Sequence, residues 1–279
     1  MKRSTVIVLA AVVVLLGVLA SVAWIDTTRP VLRETIVAAP TLGRELTILH
    51  ASDLHTARFG TRQRDIDALL EGRTFDAAII TGDMLVHGGG DRSAIYEFIA
   101  VLKRHTNAII FVSGNHDDPQ LSTELEKRGV TVLGDGLVAR IGDPQARATV
   151  ISADRDGRIT APVAMSAPIV IVAMHQPPDA STLAEARRHT SGLQLFLAGH
   201  THGGQIRIPL VGAVVAPYRW EFDFGETAGE LFPELNGRPV QGAYRIGAQA
   251  VEISPGLGTT IVPIRLFDPA GLEIVRLVP

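Results

Sequence analysis

The chain contains no cysteine, so it can form no disulfide and offers no thiolate to a metal. That absence does not fix its compartment. There is no excess of basic residues either, with 26 Lys and Arg against 29 Asp and Glu and a formal net charge of −3. A protein that grips nucleic acid through its phosphates is ordinarily basic, so nucleic acid is not an expected partner. No internal repeat is visible along the 279 residues. Between Arg3 and Asp26 charge of either sign is missing altogether.

That uncharged stretch holds a 20-residue run, Val6–Ile25, in which only Gly17 and Ser21 are not hydrophobic. As a helix it would be about 30 Å long, the thickness of a bilayer hydrocarbon core. Two readings compete. A secretory signal has an apolar region of roughly 7–15 residues and a small-residue cleavage site, for which Ser21-Val22-Ala23 would serve. The run is longer than that, so residues 1–25 are expected to be a retained single transmembrane helix. A buried core helix is disfavoured because no polar face interrupts the run. Lys2 and Arg3 before it balance Arg29 and Arg33 after it. With the amino terminus added to the first side, the positive-inside rule leans only weakly toward an extracytoplasmic remainder.

Residues 26–43, with Pro30 and Pro40, read as a linker containing one short strand. From Arg44 onward short apolar runs alternate with helix-like stretches. The runs are Leu46–His50, Ala77–Ile80, Ala108–Val112, Val130–Leu133, Ile169–Met174 and Leu193–Ala198. The helix-like stretches are Arg62–Leu70, Ser93–Arg104, Leu121–Lys127 and Thr182–His189. This alternation predicts an α/β fold with one continuous core, and residues 44–279 fit a single domain. Turn signals at Asp143-Pro144 and Asp156-Gly157 predict hairpins between Leu137 and Ser166. From Gln205 onward, short strands and long loops are expected to complete a second sheet.

Five polar motifs each follow an apolar run: Asp53-Leu54-His55, Gly82-Asp83, Gly114-Asn115-His116-Asp117, Met174-His175 and Gly199-His200-Thr201-His202. They hold five of the nine histidines. Ligand sites in open α/β sheets lie at the carboxyl ends of strands, so five such ends would converge on one point. Carboxylate, imidazole and amide together suit Mn, Fe or Zn better than Ca or Mg, and a pair of such ions suits phosphoester chemistry. In an extended segment Asp53 and His55 would point to the same side. Glycines around His200 and His202 would let backbone approach a metal or phosphate closely. Singly each motif is weak; in this order and at these positions they reinforce one another.

The ordered set SDLH, TGDM, GNHD, MHQP and GHTH resembles the calcineurin-like metallophosphoesterase superfamily over nearly the whole chain after the linker. The GHTHGGQIRIP stretch, Gly242–Gly247 and the late SPGLGTT and PIRL segments are similar to a branch of membrane-anchored bacterial phosphodiesterases. Some members of that branch cleave the pyrophosphate of UDP-2,3-diacylglucosamine in lipid A synthesis. The resemblance implies an α/β/β/α sandwich of two mixed sheets flanked by helices, here preceded by the transmembrane helix. It implies one metal on Asp53, His55, Asp83 and His202, and a second on Asp83, Asn115, His175 and His200, with Asp83 bridging. Manganese is the expected metal, with iron or zinc as alternatives. His116 would stand beside the phosphate as general acid or electrostatic stabiliser, and Asp117 would orient its ring. The implied activity is metal-dependent hydrolysis of a phosphodiester or pyrophosphate at a bacterial inner membrane. The alternatives are a non-catalytic scaffold of the same fold, or a nuclease or phosphomonoesterase. The segment Asp156–Ala167 is shorter than the family pattern leads one to expect, which weakens the carry-over of substrate there.

The remaining histidines carry plainer expectations. His50 is a structural neighbour of the site, His87 a loop residue near it, and His105 and His189 lie at helix ends, where a histidine favours the dipole. Arg187-Arg188 reads as a solvated face. Tyr218, Arg219 and Trp220 read as loop packing or as a lid touching a head group or the membrane surface.

Overall fold

A computed structural model of the chain describes residues 3–87, 89–134, 136–154, 157–159, 168–189, 192–216, 230–260 and 262–279. The Tyr218–Trp220 cluster, Asp156 and the 160–167 stretch lie outside the described residues.

Helix α1 (Arg3–Thr28) leads into β1 (Val31–Ala38) and β2 (Leu46–Ala51). Then come α2 (Arg64–Leu70), β3 (Ala77–Ile80), α3 (Ser93–Leu102), β4 (Ile109–Phe111), α4 (Pro119–Glu126) and β5 (Thr131–Val132). The hairpin of β6 (Val138–Asp143) and β7 (Ala146–Ser152) precedes β8 (Ile169–Ala173), α5 (Ala180–His189) and β9 (Leu193–Ala198). Four two-residue strands follow: β10 (Arg207–Ile208), β11 (Gly212–Ala213), β12 (Val215–Ala216) and β13 (Glu230–Leu231). The chain closes with β14 (Gly242–Ile246), β15 (Gln249–Ile253) and β16 (Gly271–Val278).

Two six-stranded mixed sheets result, in the orders β1-β16-β2-β3-β4-β5 and β14-β15-β9-β8-β7-β6. Because side chains alternate along a strand, β2 sends Ile48 into the space between the sheets and Leu49 to the outer face. Ile48, Ile79 and Val275 of the first sheet share the central core with Ile171, Leu195 and Ala250 of the second. On the outer face of the first sheet, Leu49, Ile80 and Phe111 pack with Ile66, Phe98 and Leu121 of α2, α3 and α4. Leu183 and Ala186 of α5 cover Val170, Val172 and Phe196 of the second sheet. Strands buried on both faces read as continuous apolar runs, which is why their sequence showed no polar alternation. The fold is the α/β/β/α sandwich that the resemblance implied.

Two segments differ from expectation. The short strand expected within the 26–43 linker is an eight-residue strand of the first sheet, paired in parallel with β16 from Val31 to Ala38. The carboxyl-terminal strands do not all complete the second sheet: β14 and β15 do, but β16 returns to the first and inserts between β1 and β2. The reason is non-local pairing, since β16 finds β2 across more than 200 residues of chain, as in Glu273 opposite His50. Periodicity carries no information of that kind.

The insertion of β16 sets where α1 meets the domain. β2, β3 and β4 are parallel and end at one edge of the sandwich. β16 runs antiparallel to β2 and so begins at that edge, and β1, parallel to β16, begins there too. α1 ends two residues before β1, beside the loops that carry the polar motifs. Its contact is specific: the Arg265 amide donates to Thr27 Oγ1 at 2.8 Å, and the Ala270 amide to the Asp26 carbonyl at 2.9 Å. The helix has 26 residues, a mean hydropathy of 3.1 over its apolar window and none of that window buried. It is long and apolar enough to cross a membrane.

A buried acidic pair joins the two sheets near the same edge. Glu252 of β15 accepts from Thr35 Oγ1 at 2.9 Å, and Glu273 of β16 lies 3.5 Å from Arg33 Nη1. Burial first, and then the Glu273 carboxylate, push Glu252 up to about 8, while burial pushes Glu273 up to about 7. Arg33 also faces Glu252, and Tyr244 beside it is pushed up to about 12 and stays neutral through this range. Because the folded state holds protons that the unfolded chain releases near pH 4.5, the pair's contribution to stability falls as pH rises from about 5 to about 8. The difference in Tm between Glu252→Gln and the wild type should therefore grow in the variant's favour as pH rises across that range. A difference that does not change with pH contradicts the assignment.

Candidate metal centre

Every candidate ligand follows a strand. Asp53 and His55 follow β2, Asp83 follows β3, Asn115 follows β4, His175 follows β8, and His200 and His202 follow β9. The first sheet therefore supplies four side chains and the second three. Asp53, His55, Asp83, His200 and His202 adopt left-handed backbone, with φ of 55°, 45°, 52°, 71° and 53°. Such conformations are disfavoured for residues with a Cβ and cluster where surrounding structure enforces them for function. Asp53 and His55 are thus brought to one side by a tight turn, not by the extended segment expected from their spacing. Two glycines make room: a Cβ on Gly114 would meet Asp83 Oδ1 at 2.1 Å, and one on Gly199 would meet Ser52 Oγ at 1.8 Å.

The donors fall into two buried triads, Asp53–His55–His202 and Asp83–His175–His200, each with its ligand atoms within 4.8 Å of one another. In the first, His55 Nε2 lies 3.2 Å from His202 Nε2, which is 3.3 Å from Asp53 Oδ1. In the second, His175 Nε2 lies 3.2 Å from Asp83 Oδ2, 3.1 Å from His200 Nδ1 and 3.1 Å from Asn115 Oδ1. Asp83 Oδ2 is also 3.7 Å from His55 Nε2, so one carboxylate stands between the triads. The structure brings together all seven residues that the sequence singled out as ligands.

Their protonation suits cations. Burial drives His55 down to about 4, His200 to about 3 and His202 well below its ordinary value, leaving neutral rings with lone pairs to donate. His175 donates its Nδ1–H to the Thr81 carbonyl at 2.7 Å, which leaves Nε2 facing the other donors. A backbone carbonyl on the remote nitrogen is the usual way a ligating histidine is held in one tautomer. Burial opposes charging His175, but Asp83 and Asp53 outweigh it and push the ring up to about 9. Burial likewise opposes ionising Asp83, yet His175, His55 and His116 hold it well below the usual carboxylate range. Burial pushes Asp53 up to about 7. Positive charge is therefore favoured at the point where the nitrogens converge, and the residues present fit divalent metal ions.

His116 is the eighth member. Its Nε2 lies 3.8 Å from Asp83 Oδ2, its amide donates to Asp83 Oδ1 at 2.9 Å, and its ring meets His55 edge-on at 5.3 Å. His87, exposed in the loop after Asp83, places its ring edge-on to His116 at 5.6 Å. Asp117 does not make the expected bond to the His116 ring. Its carboxylate accepts four backbone amides instead, from Asp83 at 2.7 Å, Met84 at 2.9 Å, Leu85 at 3.1 Å and Gly114 at 2.9 Å. A carboxylate three residues past a glycine turn is close enough to gather the free amides of the neighbouring loop, and with both oxygens used it fastens the Asp83 loop to the Asn115 loop.

Arg265 was not anticipated. It is fully buried and donates to the carbonyls of Gly258, Pro255 and His202 and to Asp268 Oδ2, at 2.8–3.2 Å. The Gly258 amide in turn donates to the Asp53 carbonyl. One guanidinium thus ties the first triad to the loop between β15 and β16. Its signal was the PIRL segment, but nothing local told it from a surface arginine. His50 is the buried neighbour expected, its Nε2 2.9 Å from Thr81 Oγ1.

A model of the calcineurin-like phosphoesterase family matches residues 46–204. The chain belongs to that family. All seven donors of this calcineurin-like phosphoesterase fall inside the matched span, whereas Arg265 and β16 lie outside it. It is 26% identical over 270 residues to an uncharacterized metallophosphoesterase of Helicobacter pylori, covering 90% of this chain and 65% of the relative. It is 31% identical over 242 residues to the uncharacterized protein YpbG of Bacillus subtilis, covering 83% of this chain and 81% of that one. With the phosphodiesterase YaeI of Escherichia coli it shares 27% identity over 182 residues, or 61% of this chain and 65% of YaeI. The chain thus spans about 65% of the length of the Helicobacter relative and of YaeI.

Because Asp83 faces both triads, Asp83→Asn should lower metal content at both, to less than half the wild-type total by elemental analysis. Loss confined to one triad, or none, contradicts a shared carboxylate. Asp117→Ala leaves four amides without their acceptor and should cost on the order of 3 kcal/mol in denaturant unfolding. An unchanged midpoint would show that the clamp carries no stability.

Proposed function

We propose that this chain is a membrane-tethered phosphoric ester hydrolase that uses two divalent metal ions to cleave a phosphodiester or pyrophosphate. The observation that carries the proposal is the pair of buried donor triads joined by Asp83, with the His116 ring 3.8 Å from the shared carboxylate. Asp53, His55, Asp83 and His202 would hold one cation, and Asp83, Asn115, His175 and His200 the other. Carboxylate, imidazole and amide oxygen suit manganese, with iron or zinc as alternatives. When bound, such a pair supplies Lewis acidity to phosphoryl oxygens and to water.

The protein's own residues do the rest. Asp117 and Arg265 hold the ligand loops before any substrate arrives. His116 is half-buried, which lowers its pKa, and it stands at the rim of the donor cluster, where it can carry a proton to a leaving oxygen or stabilise charge there. The exposed ring of His87, edge-on to His116 at 5.6 Å, would be within reach of a substrate bound at His116.

A tether raises the local concentration of a membrane-embedded ester, so the preferred substrate class is a lipid-linked phosphodiester or pyrophosphate of the bacterial envelope. UDP-2,3-diacylglucosamine is one candidate within that class. The site and the end of α1 share one edge of the sandwich, which favours that class over a freely soluble ester. The chain carrying the resemblance is also similar to a protein named as a phosphodiesterase.

The full chain, purified in detergent with Mn and assayed against chromogenic mono- and diesters, should turn over diesters and lose activity on chelation. No turnover with Mn, Fe or Zn overturns the proposal. His116→Ala should retain both metals while turnover falls by roughly 10²–10⁴-fold. Full activity in a metal-replete variant removes that role from His116.

A further inference from the structure

Outside α1, most of the exposed large apolar residues among the described residues lie between Arg207 and Phe267. Two loop tips there are apolar throughout: Ile208-Pro209-Leu210 and Val262-Pro263-Ile264, all six residues exposed. Leu210 is completely exposed and is held in left-handed backbone at φ 69°. Ile264 is 41% exposed. Contiguous apolar tips in water are unfavourable and mark a surface that meets something else.

The tips are braced together and to the helix. The Leu266 amide donates to the Gln205 carbonyl at 2.8 Å, and the Arg207 amide returns to the Leu266 carbonyl at 3.0 Å. Arg265, one residue past the second tip, donates its amide to Thr27 Oγ1 at the end of α1. Trp24 is exposed one turn earlier on the helix, with the Arg29 guanidinium 5.9 Å from its ring. If the apolar run of α1 spans a bilayer, Thr27 lies within about one helical turn, roughly 5 Å, of the hydrocarbon edge. Tips bonded at that level sit at the depth where apolar side chains enter the boundary between head groups and acyl chains. An exposed tryptophan with an arginine is the usual composition of that layer.

We infer that the Ile208–Leu210 and Val262–Ile264 tips are a membrane-docking surface, inserted into the same bilayer leaflet that α1 leaves and holding the metal centre against it. The inference rests on the reading of α1 as a membrane anchor. It goes beyond tethering: a flexible tether would leave the domain free to turn, whereas two inserted tips fix which edge faces the lipid. Both tips spring from the site itself, since the first begins six residues after His202 and Arg265 also holds the His202 carbonyl at 3.2 Å.

With no cysteine in the chain, single labels are unambiguous. The full chain carrying Leu210→Cys, Ile264→Cys, Leu16→Cys or Lys127→Cys would be labelled with a polarity-sensitive fluorophore. Each protein would then be placed in vesicles of phosphatidylethanolamine and phosphatidylglycerol with brominated acyl chains. Lys127 follows α4 at the β5 end of the first sheet, opposite β1, and serves as the remote control. Hydrolysis of a chromogenic diester checks that each labelled protein is folded. Quenching at positions 16, 210 and 264 at least about threefold above that at 127 supports docking. Quenching at 16 with 210 and 264 no different from 127 overturns docking and leaves the anchor standing. No quenching at 16 removes the anchor and docking with it. Labels at 210 and 264 shielded from aqueous iodide yet unquenched by brominated lipid point to a protein partner or a second copy, and overturn the inference.

Discussion

The carboxylate of Asp83 is the contact on which the rest of the centre depends. Its Oδ1 accepts the His116 amide, and its Oδ2 faces His175, His55 and His116 within 3.8 Å. A charge that deep is tolerable only if positive charge gathers round it, because removing a carboxylate from water costs several kcal/mol unless it is paired. The surrounding histidines and the raised pKa of His175 express that demand, and divalent cations would meet it more completely. Asp83 is held where it is by its own amide, which donates to Asp117, and by a glycine at position 114 that leaves space for its oxygens.

The centre exists only when the two sheets are packed. Asp53, His55, Asp83 and Asn115 ride on one sheet, and His175, His200 and His202 on the other, so neither sheet holds a complete set of ligands. Apolar packing closes the seam, and at the site polar contacts cross it, among them the His175 ring to the Thr81 carbonyl and the His200 amide to Asp53. Left-handed backbone at five ligands is the local strain that the core between the sheets supports. Rigidity of the donor set and closure of the sandwich are in that sense one property.

The same topology orients the domain. β16 reverses direction beside β2, so β1 starts at the edge where the ligands gather, and the apolar helix joins the fold there. Had β16 run parallel to β2, the helix would have met the opposite edge, with the metal centre facing away from it.

The donor set was legible because metal chemistry is written in short contiguous words. Asp-x-His, Gly-Asp, Gly-Asn-His-Asp and Gly-His-x-His each name their ligands within four residues, and each follows an apolar run that could be recognised locally. The long apolar helix was legible for the same reason. Three features were not. The pairing of β16 with β2 and β1, which made the short strand read within the linker a full member of the first sheet, depends on hydrogen bonds between distant segments. Asp117 read as the partner of its neighbour His116 until packing aimed its oxygens at four amides of two loops. Arg265 drew no reading of its own within the PIRL segment, and only burial made it the brace of the first triad. By itself the sequence determined which side chains offer donors of the metal-binding type and which segments are apolar, since both are properties of residues and their near neighbours. Only the tertiary structure decided that seven donors meet at one point and that the helix arrives at that edge, because long-range pairing and burial exist only once the chain has closed on itself.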